Sequence, residues 1–232
     1  MRDKTIKKIL TLVQNNYEEI ASEFDVTRKN LTWPILKDYC LQISSQDKVL
    51  DVACGNGRLC QELIGKNKNY LGVDNSRALI NLAKNNFPEF NFFQANFLEE
   101  NFLKNLDYPK FSFNKIFFLA AWQHVPSKKL RLQVLKNIKQ YLAPNGEIII
   151  SNWNLWQSRH RSKIIKNIWR KIIGKNDLDF GDIIFSWQGK TIKSKRYYHA
   201  FTKRELMDLA KRAKFKNINF FQDKYNYWLI LK

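Results

Sequence analysis

Apolar residues at helical spacing dominate the first part of the chain. The segment Thr5–Ala21 carries such a stripe, and a second helix is predicted over Trp33–Leu41, with Pro34 in its first turn, where the missing N–H costs least. The intervening residues Phe24–Thr32 are predicted to form a loop. Together with the polar link that follows, these elements predict an N-terminal helical cap over residues 1–47.

From Lys48 onward, short apolar segments alternate with helical ones, which is the pattern of a parallel α/β sheet. Strands are predicted at Lys48–Ala53, Asn69–Val73, Asn91–Gln94, Lys115–Leu119 and Glu147–Asn152. The helices between them are predicted at Arg58–Ile64, Ser76–Asn86 and Lys128–Leu142. The alternation indicates a Rossmann-like α/β domain over residues 48–232.

The end of the chain departs from this alternation. Residues 155–196 break the rhythm, and a helix over Thr202–Ala213 then opens with the Thr-x-x-Glu spacing of a capping box. Two last strands, Phe215–Phe221 and Tyr225–Leu231, are separated by so short a turn that they must be antiparallel. A parallel sheet that ends in an antiparallel strand differs from the dinucleotide-binding Rossmann pattern.

A glycine turn between the first two predicted strands carries the clearest chemistry. The first strand leads into Gly55-x-Gly57 and then into a helix, so the backbone can turn sharply and a ligand can approach the main chain. Asp74 ends the second strand, 17 residues beyond Gly57, at the position from which a carboxylate binds both ribose hydroxyls. This order of strand, glycine turn, helix, strand and acid predicts a cofactor that contains adenosine.

Two residues favour S-adenosylmethionine over a dinucleotide as that cofactor. Cys60 occupies the place of the third glycine, which normally lets helix and strand pack closely around a pyrophosphate. Asp51 precedes the turn, where a carboxylate would repel a pyrophosphate but suits the ammonium and sulfonium groups of S-adenosylmethionine. The alternative for Asp51 is a turn residue at the end of a strand.

The chain is strongly basic, with 40 Lys and Arg residues, 21 Asp and Glu residues and a net charge of +19. Residues 151–232 hold 19 basic and six acidic residues, so most of the excess lies in the last third. A basic surface attracts polyanions, of which nucleic acid is the commonest in a cell. A lysine-rich composition set by AT-rich codons is the alternative, but it does not explain why the excess is concentrated there.

Several classes of protein are disfavoured. The longest apolar runs are far too short to span a bilayer, and no secretory signal follows the basic start of the chain. Cys40, Cys54 and Cys60 lack metal-binding spacing and the three histidines are scattered, so we expect no metal site. The cysteines are interpreted as free thiols in a reducing cytoplasm.

The chain resembles the class I S-adenosylmethionine-dependent methyltransferases along nearly its whole length and, within them, the tRNA wobble-uridine carboxymethyl methyltransferases and their bacterial relatives. The segments that carry this resemblance are Phe24–Arg28 with Trp33 and Pro34, Asp51–Leu59, Ala121–Ser127 with Leu130 and Arg131, Asn152–Gln157, and Arg196–Phe201. The resemblance implies a seven-stranded, mostly parallel sheet with an antiparallel last strand. Residues 48–232 would then be the methyltransferase domain, with a basic insertion on the substrate side after strand five, over residues 154–200.

The resemblance also implies how the cofactor is bound. Asp51, Gly55 and Gly57 would hold the methionine moiety, Asp74 the ribose, Asn96 and the Phe97 backbone the adenine edge, and Ala120 and Ala121 the floor of the pocket. Three predicted cofactor-binding positions differ from the family pattern. Ala53 replaces the usual first glycine, Asn75 stands where an apolar residue often covers the adenine, and Asn96 replaces a common Asp. On the substrate side, Gln123 replaces the first residue of a His-His pair.

A carboxylate acceptor is already ionised at neutral pH, so methyl transfer to it needs positioning and electrostatic stabilisation but no general base. Catalytic roles are predicted for Arg28 and Arg196, as a clamp on that carboxylate, and for His199. Substrate-binding roles are predicted for Trp153, Tyr197, Tyr198 and His124. The two tyrosines, with His199, could stack on or bond to a uracil ring. The alternatives are surface charges for the arginines and packing or local structural roles for the other residues.

One stretch of the insertion is predicted to be a basic amphipathic helix. Its apolar stripe consists of Ile164, Ile165, Ile168, Trp169, Ile172 and Ile173, with seven Lys and Arg residues around it. A tRNA backbone contact, a covering helix with a solvated face, or a membrane surface would each explain this pattern. Its predicted place on the substrate side favours tRNA.

These observations predict a methyltransferase that esterifies a carboxyl-bearing wobble uridine, with S-adenosylmethionine as cofactor and tRNA as partner. In the family that the chain resembles, a small zinc-containing activator protein can be required, whereas no membrane partner is expected. Two alternatives stay open. One is a methyltransferase acting on a small-molecule carboxylate or amine, and the other is a non-catalytic RNA-binding protein on a methyltransferase fold.

Overall fold

The computed structural model describes residues 1–28, 33–106, 108–157, 160–188 and 193–232. Its helices are α1 (Asp3–Glu19), α2 (Ala21–Arg28), α3 (Pro34–Leu41), α4 (Arg77–Asn86), α5 (Lys128–Lys139), α6 (Arg161–Ile172) and α7 (Lys203–Arg212). Its strands are β1 (Val49–Val52), β2 (Tyr70–Asp74), β3 (Asn91–Gln94), β4 (Phe113–Leu119), β5 (Leu142–Trp153), β6 (Asp182–Gln188), β7 (Lys193–His199), β8 (Ile218–Gln222) and β9 (Asn226–Leu231). Short 3-10 helices follow β1 and β4, at Arg58–Glu62 and Trp122–His124.

Among the described residues, seven strands form one sheet in the order β3-β2-β1-β4-β5-β9-β8. Strands β1 to β5 pair in parallel, while β9 is antiparallel to both of its neighbours, β5 and β8. The sheet confirms the predicted Rossmann-like fold with its antiparallel last strand. The chain order reverses between β1 and β4, where sheets of this kind leave a crevice at the carboxyl ends of the strands.

Apolar layers cover both faces of the sheet. All four residues of β1 are buried, and the aliphatic ones divide between the layers, with Leu50 on one face and Val49 on the other. Helices α5 and α7 complete the first layer, and α3 and α4 complete the second. Strands covered on both sides contain continuous apolar runs, which is why the sequence pattern located the parallel strands well.

The observed elements differ from the predicted ones in three places near the sheet. Residues 24–28 of the predicted loop Phe24–Thr32 belong to helix α2, and residues 29–32 lie outside the described residues. The predicted helix after β1 is the 3-10 segment Arg58–Glu62. The helix before β5 ends at Lys139 because Leu142 already pairs with Phe113 at the start of β4.

The stretch that breaks the alternation contains α6 and an antiparallel hairpin, β6 and β7, which forms a separate two-stranded sheet. The predicted basic helix is confirmed as α6, but its apolar stripe is divided. Ile164 is fully buried against the hairpin, whereas Ile165, Trp169, Ile172 and Ile173 are between 43% and 63% exposed. Most of the predicted stripe therefore faces away from the core.

Helix α1 and the residue before it are hydrogen-bonded to this insertion. The Arg2 amide and the Thr5 hydroxyl each donate to Asp177 at 2.8 Å, and Asn16 Nδ2 donates to the Lys195 carbonyl at 2.9 Å. Helix α1 accordingly packs along β7. Within the described residues, no helix has the length and apolar content that crossing a bilayer requires.

Candidate active site

The turn after β1 contains three residues with left-handed backbone angles: Ala53 (φ 58°), Gly55 (φ 58°) and Gly57 (φ 79°). A side chain at Gly57 would bring its Cβ to 2.9 Å from the Phe92 ring, so both the angle and the space require glycine there. Ala53 adopts its angle with a side chain, at a cost of about 1 kcal/mol. The resemblance leads one to expect glycine at that position.

Asp74 ties the end of β2 to this turn. Its Oδ2 accepts a hydrogen bond from the Gly55 amide at 3.0 Å, and its Oδ1 accepts one from the Ser76 amide at 2.9 Å. Burial raises the pKa of Asp74, and the two backbone donors act against that rise. The carboxylate is therefore held in one orientation at the position predicted for ribose recognition.

A carboxylate and a guanidinium lie together beside the turn. Asp51 is buried and accepts a hydrogen bond from the Tyr70 hydroxyl at 2.9 Å, and burial raises its pKa to about 7. Arg58 stacks 4.3 Å from the centroid of the Trp33 ring, and burial, with Arg28 nearby, lowers its pKa to about 10. An amino-acid group carries one ammonium and one carboxylate, so this pair fits the methionine end of S-adenosylmethionine.

These groups line a cavity of about 1230 Å³ at the carboxyl ends of the strands. Its wall includes nine of the ten residues predicted to bind the cofactor: Asp51, Ala53, Gly55, Asp74, Asn75, Asn96, Phe97, Ala120 and Ala121. The tenth, Gly57, faces Phe92 and Phe87 behind the turn and shapes the turn without lining the cavity. Asn96 is fixed in the wall because its Oδ1 accepts a hydrogen bond from the Leu98 amide at 3.2 Å.

Four residues predicted to act on the substrate line the same cavity: Arg28, His124, Trp153 and Arg196. Arg28 ends α2 and Arg196 lies on β7, so the fold brings together two cations that are far apart in sequence. The cavity thus combines the Asp51 and Asp74 carboxylates with these guanidinium groups. Its carboxylates suit a cationic cofactor, and its arginines suit an anionic acceptor.

His124 is held in the wall by two hydrogen bonds. Its Nε2 lies 2.8 Å from the Tyr17 hydroxyl, and its Nδ1 lies 3.1 Å from the Tyr197 carbonyl. Burial lowers the pKa of His124 to about 3, and the positive charge of Arg196 acts in the same direction. The imidazole is therefore neutral at physiological pH.

Two of the β7 residues predicted to meet the substrate are turned away from the cavity. Side chains alternate along a strand, so Tyr197 and His199 share a face of β7, and each is 1% exposed. The Tyr197 hydroxyl donates to Asp182 at 2.8 Å, while His199 contacts Asp182 at 2.7 Å and Glu205 at 2.8 Å. The predicted substrate contact of Tyr197 and the catalytic role of His199 are corrected accordingly, and both side chains hold the hairpin in place.

Tyr198 lies behind the cavity wall. It is 1% exposed and packs edge-on against Trp153, with 5.2 Å between the ring centroids. Its hydroxyl accepts a hydrogen bond from Arg196 Nη1 at 3.2 Å. Tyr198 therefore supports Trp153 and Arg196, and the structure corrects the expectation that its ring stacks on a substrate base.

Tyr17 and Arg58 line the cavity although neither was predicted to be a site residue. Tyr17 belongs to the apolar stripe of α1, where an aromatic residue is most simply explained as core. Arg58 directly follows the glycine turn, and a cation at that position was a usable signal. Asn56 Nδ2 donates to Asp25 Oδ1 at 2.8 Å, which holds α2 against the turn and brings Phe24 into the cavity wall.

Comparison with known proteins identifies the family of the chain. The model of the methyltransferase-domain family matches residues 43–214. The tRNA (carboxymethyluridine(34)-5-O)-methyltransferase of Schizosaccharomyces pombe is 22% identical over 227 residues, covering 94% of each chain. The carboxy-S-adenosyl-L-methionine synthase of Nautilia profundicola is 26% identical over 234 residues, covering 94% of this chain and 93% of the relative.

The fold has close counterparts among solved structures. A SAM-dependent methyltransferase from Methanosarcina mazei matches with a TM-score of 0.65 and 20% identity, over 86% of this chain and 97% of that one. This similarity concerns the fold, while the family match spans most of the chain and the cavity carries the groups that the cofactor needs. The chain belongs to the methyltransferase-domain family and is an S-adenosylmethionine-dependent methyltransferase.

Proposed function

We propose that this methyltransferase converts the carboxylate of a carboxymethyl-type wobble uridine in tRNA into its methyl ester. The observation that carries the proposal is the pair Arg28 and Arg196, which line the same cavity as the cofactor residues Asp51 and Asp74. The name of the Schizosaccharomyces pombe relative gives a reaction at carboxymethyluridine for that protein, and the similarity extends over nearly the whole chain.

The chemistry fits a cavity with two arginines. A carboxylate oxygen forms a bond to the methyl carbon while the bond from that carbon to sulfur breaks, and no proton has to be removed because the acid is already ionised. An arginine binds a carboxylate through two parallel N–H donors, which fixes the plane of the nucleophile. Arg196 suits this role because it is 8% exposed and anchored to the Tyr198 hydroxyl.

Exposed cations beside the cavity support a polyanionic substrate. Gln157 and His160 line the cavity, and α6 begins at the next residue, Arg161. Lys163, Lys166 and Arg170 are also exposed along α6. Phosphates of a tRNA bound at the cavity would therefore meet a row of cations, with the electrostatic attraction that nucleic acids exert on such surfaces.

The direct test is incubation of the protein with labelled S-adenosylmethionine and total tRNA, followed by mild alkali, which releases a methyl ester as methanol. We expect alkali-labile label in the tRNA of wild type and a large loss in Arg196→Lys, which keeps the charge but not the two parallel donors. Arg204→Lys, an exposed position on α7, is the matched control and should retain activity. Absence of alkali-labile label with wild type, both alone and after supplementation with a host extract, would refute the proposal.

The same assay examines the need for a second protein. Purified chain alone is compared with chain supplemented by an extract of host cells from which its gene has been deleted. Activity of the purified chain would show that no activator is needed, whereas activity only after supplementation would support the activator that the resemblance implies.

A second candidate function is methylation of a small-molecule carboxylate or amine. Two observations favour it: helices α1 and α2 contribute Leu10, Val13, Gln14, Tyr17 and Phe24 to the cavity wall, and one relative is named as a carboxy-S-adenosyl-L-methionine synthase. Methyl transfer to components of a cell extract that survives ribonuclease treatment would support this candidate over tRNA. Binding of tRNA without binding of S-adenosylmethionine would instead indicate a non-catalytic protein.

A further inference from the structure

A chain of hydrogen bonds fixes the direction of the Tyr17 hydroxyl. The Tyr197 carbonyl can only accept, so the His124 Nδ1 that lies 3.1 Å from it carries the proton. A neutral imidazole has one proton, so Nε2 keeps its lone pair and accepts from the Tyr17 hydroxyl 2.8 Å away. The hydroxyl proton of Tyr17 is therefore used in the hydrogen bond to His124, and the Tyr17 oxygen can only accept a hydrogen bond from another partner.

Burial keeps this direction unchanged over the physiological pH range. Burial lowers the pKa of His124 to about 3, with Arg196 acting in the same sense. Burial raises the pKa of Tyr17 well above its usual range; Tyr198 and Asp74 also raise it, and Arg196 and Arg28 oppose the rise. Both rings stay neutral, so the tyrosine remains the donor and the imidazole the acceptor.

The Tyr17 side chain is held in the cavity wall among the groups assigned to the acceptor. Its ring meets the Phe24 ring edge-on at 5.8 Å and the His124 ring edge-on at 5.3 Å. Both neighbours line the cavity, as do Arg28 and Arg196. The cavity therefore presents two cationic donors together with a tyrosine oxygen that can only accept.

We propose that the Tyr17 oxygen accepts a hydrogen bond from the imide N3–H of the target uracil, and so selects uridine at the acceptor position. This inference rests on the proposed function. A 5-carboxymethyluracil ring has acceptors at its carboxylate and two carbonyl oxygens, which suit the arginines, and its one ring donor is N3–H. A cytosine has a lone pair at N3, which would face the lone pairs of Tyr17 and leave a buried acceptor unpaired.

His124 is a positioning residue in this scheme, because it acts on the base only through Tyr17. Removing its imidazole frees the tyrosine proton, so the hydroxyl could then donate as well as accept. A His124→Ala variant is therefore expected to lose part of its methyl-transfer activity on a base with N3–H, and to discriminate less between that base and one with a lone pair at N3, such as cytosine. A purely structural role for His124 would lower activity on both bases equally.

The test uses two anticodon stem-loop RNAs, one with 5-carboxymethyluridine and one with its N3-methylated counterpart. For wild type, we expect N3 methylation to lower kcat/KM about tenfold or more, the usual effect of leaving a buried polar group unpaired. Tyr17→Phe should show a loss of similar size on the first RNA and almost no further loss on the second. Tyr39→Phe, on α3 and outside the cavity wall, is the control and should keep the wild-type ratio.

Three outcomes would overturn the inference, and they are distinguishable. An equal N3-methyl effect in wild type and Tyr17→Phe means that Tyr17 does not contact N3–H. Loss of S-adenosylmethionine binding by Tyr17→Phe in calorimetry means that Tyr17 acts through the cofactor or the fold. Wild type that binds the cofactor but methylates neither RNA, both alone and after supplementation with a host extract, refutes the proposed function itself, and the assignment of Tyr17 to uracil falls with it.

Discussion

The Nδ1 atom of His199 lies 2.7 Å from Oδ1 of Asp182, and both side chains are at most 1% exposed. On its other side, His199 Nε2 contacts Glu205 at 2.8 Å. Arg131, also 1% exposed, lies 3.5 Å from Glu205 and 3.9 Å from Asp182. This cluster joins the β6–β7 hairpin to α5 and α7, and thereby holds Arg196 at the cavity.

Replacing His199 should affect stability more than chemistry. His199→Ala leaves Asp182 and Glu205 without one partner each, so we expect a loss of about 1–3 kcal/mol in the free energy of unfolding, measured with urea. The folded variant should bind S-adenosylmethionine with wild-type affinity. Arg212→Ala, at an exposed position on α7, should change stability by only about 0.5 kcal/mol. A His199 variant with full stability but no methyl transfer would restore the catalytic role.

The same cluster predicts how stability depends on acid. Burial disfavours the charge of Glu205, but its hydrogen bond to His199 and the nearby Arg131 and Lys128 outweigh that effect and lower its pKa below 4.5. A lowered carboxyl pKa adds stability at pH values above 4.5, and that stability is lost as the pH falls through the folded-state value. Wild type should therefore exceed Glu205→Gln in stability at neutral pH. The two should converge in acid, and a constant difference would contradict this.

Cofactor affinity should rise with pH through neutrality. Burial raises the pKa of Asp51 to about 7, so part of the empty protein carries a neutral acid there, which cannot pair with the cofactor's ammonium group. We expect the Kd of S-adenosylmethionine, measured by calorimetry, to fall between about pH 6 and about pH 8 as Asp51 ionises. Asp51→Asn should bind weakly with little of this dependence. An unchanged pH profile in Asp51→Asn would rule out Asp51 as its source.

The glycine turn offers a matched pair of substitutions. Gly57→Ala combines a φ of +79° with a Cβ placed 2.9 Å from Phe92, so we expect a loss of about 2 kcal/mol or more in stability and weaker cofactor binding. Ala53→Gly relieves strain at φ 58° but adds freedom to the unfolded chain, so a gain of about 1 kcal/mol or less is expected. Thermal unfolding with and without cofactor measures both. Equal effects of the two changes would contradict the described backbone.

Reversing charges on α6 should weaken RNA binding without changing the rate of methyl transfer from bound substrate. Lys166→Glu with Arg170→Glu removes two exposed cations, so KM for tRNA should rise several-fold, while cofactor affinity stays constant. The effect should shrink as salt is added, because each lost phosphate contact reduces the salt dependence by about one ion. Lys37→Glu with Lys68→Glu, exposed on other parts of the surface, is the control. Equal losses from both pairs would point to net charge alone.

The parallel sheet and the cofactor residues followed from the sequence because both are local patterns. Each of these patterns spans only a few residues: the apolar run of β1, the Gly-x-Gly turn, and the acid at the end of β2. In folds of this kind, all three lie at the carboxyl ends of the parallel strands, where ligands bind. Nine of the ten predicted cofactor residues line the cavity for that reason.

The acceptor side was harder because it depends on contacts between distant segments. Arg196 and His199 were grouped by sequence proximity, yet strand alternation sends Arg196 to the cavity and His199 to the Asp182 cluster. The hairpin itself was missed because β7 is mostly polar and basic, so the alternating apolar residues Ile183 and Phe185 of β6 had no apolar partner strand in the sequence pattern. Tyr17 could not be recognised in an apolar stripe, since its proposed role depends on a hydrogen bond to His124, more than a hundred residues away.

The bonds between α1 and the insertion have a consequence for exchanging parts with related enzymes. Asp177 accepts hydrogen bonds from the Arg2 amide and the Thr5 hydroxyl, and the Lys195 carbonyl accepts one from Asn16 Nδ2. The cap and the insertion therefore share an interface, although the strands of the main sheet lie between them in sequence. A chimera that imports only one of them would lose these partners and misplace Tyr17 relative to Arg196. Transplanting acceptor specificity therefore requires exchanging the N-terminal cap and the insertion together, while the part of the cavity that binds the cofactor can stay unchanged.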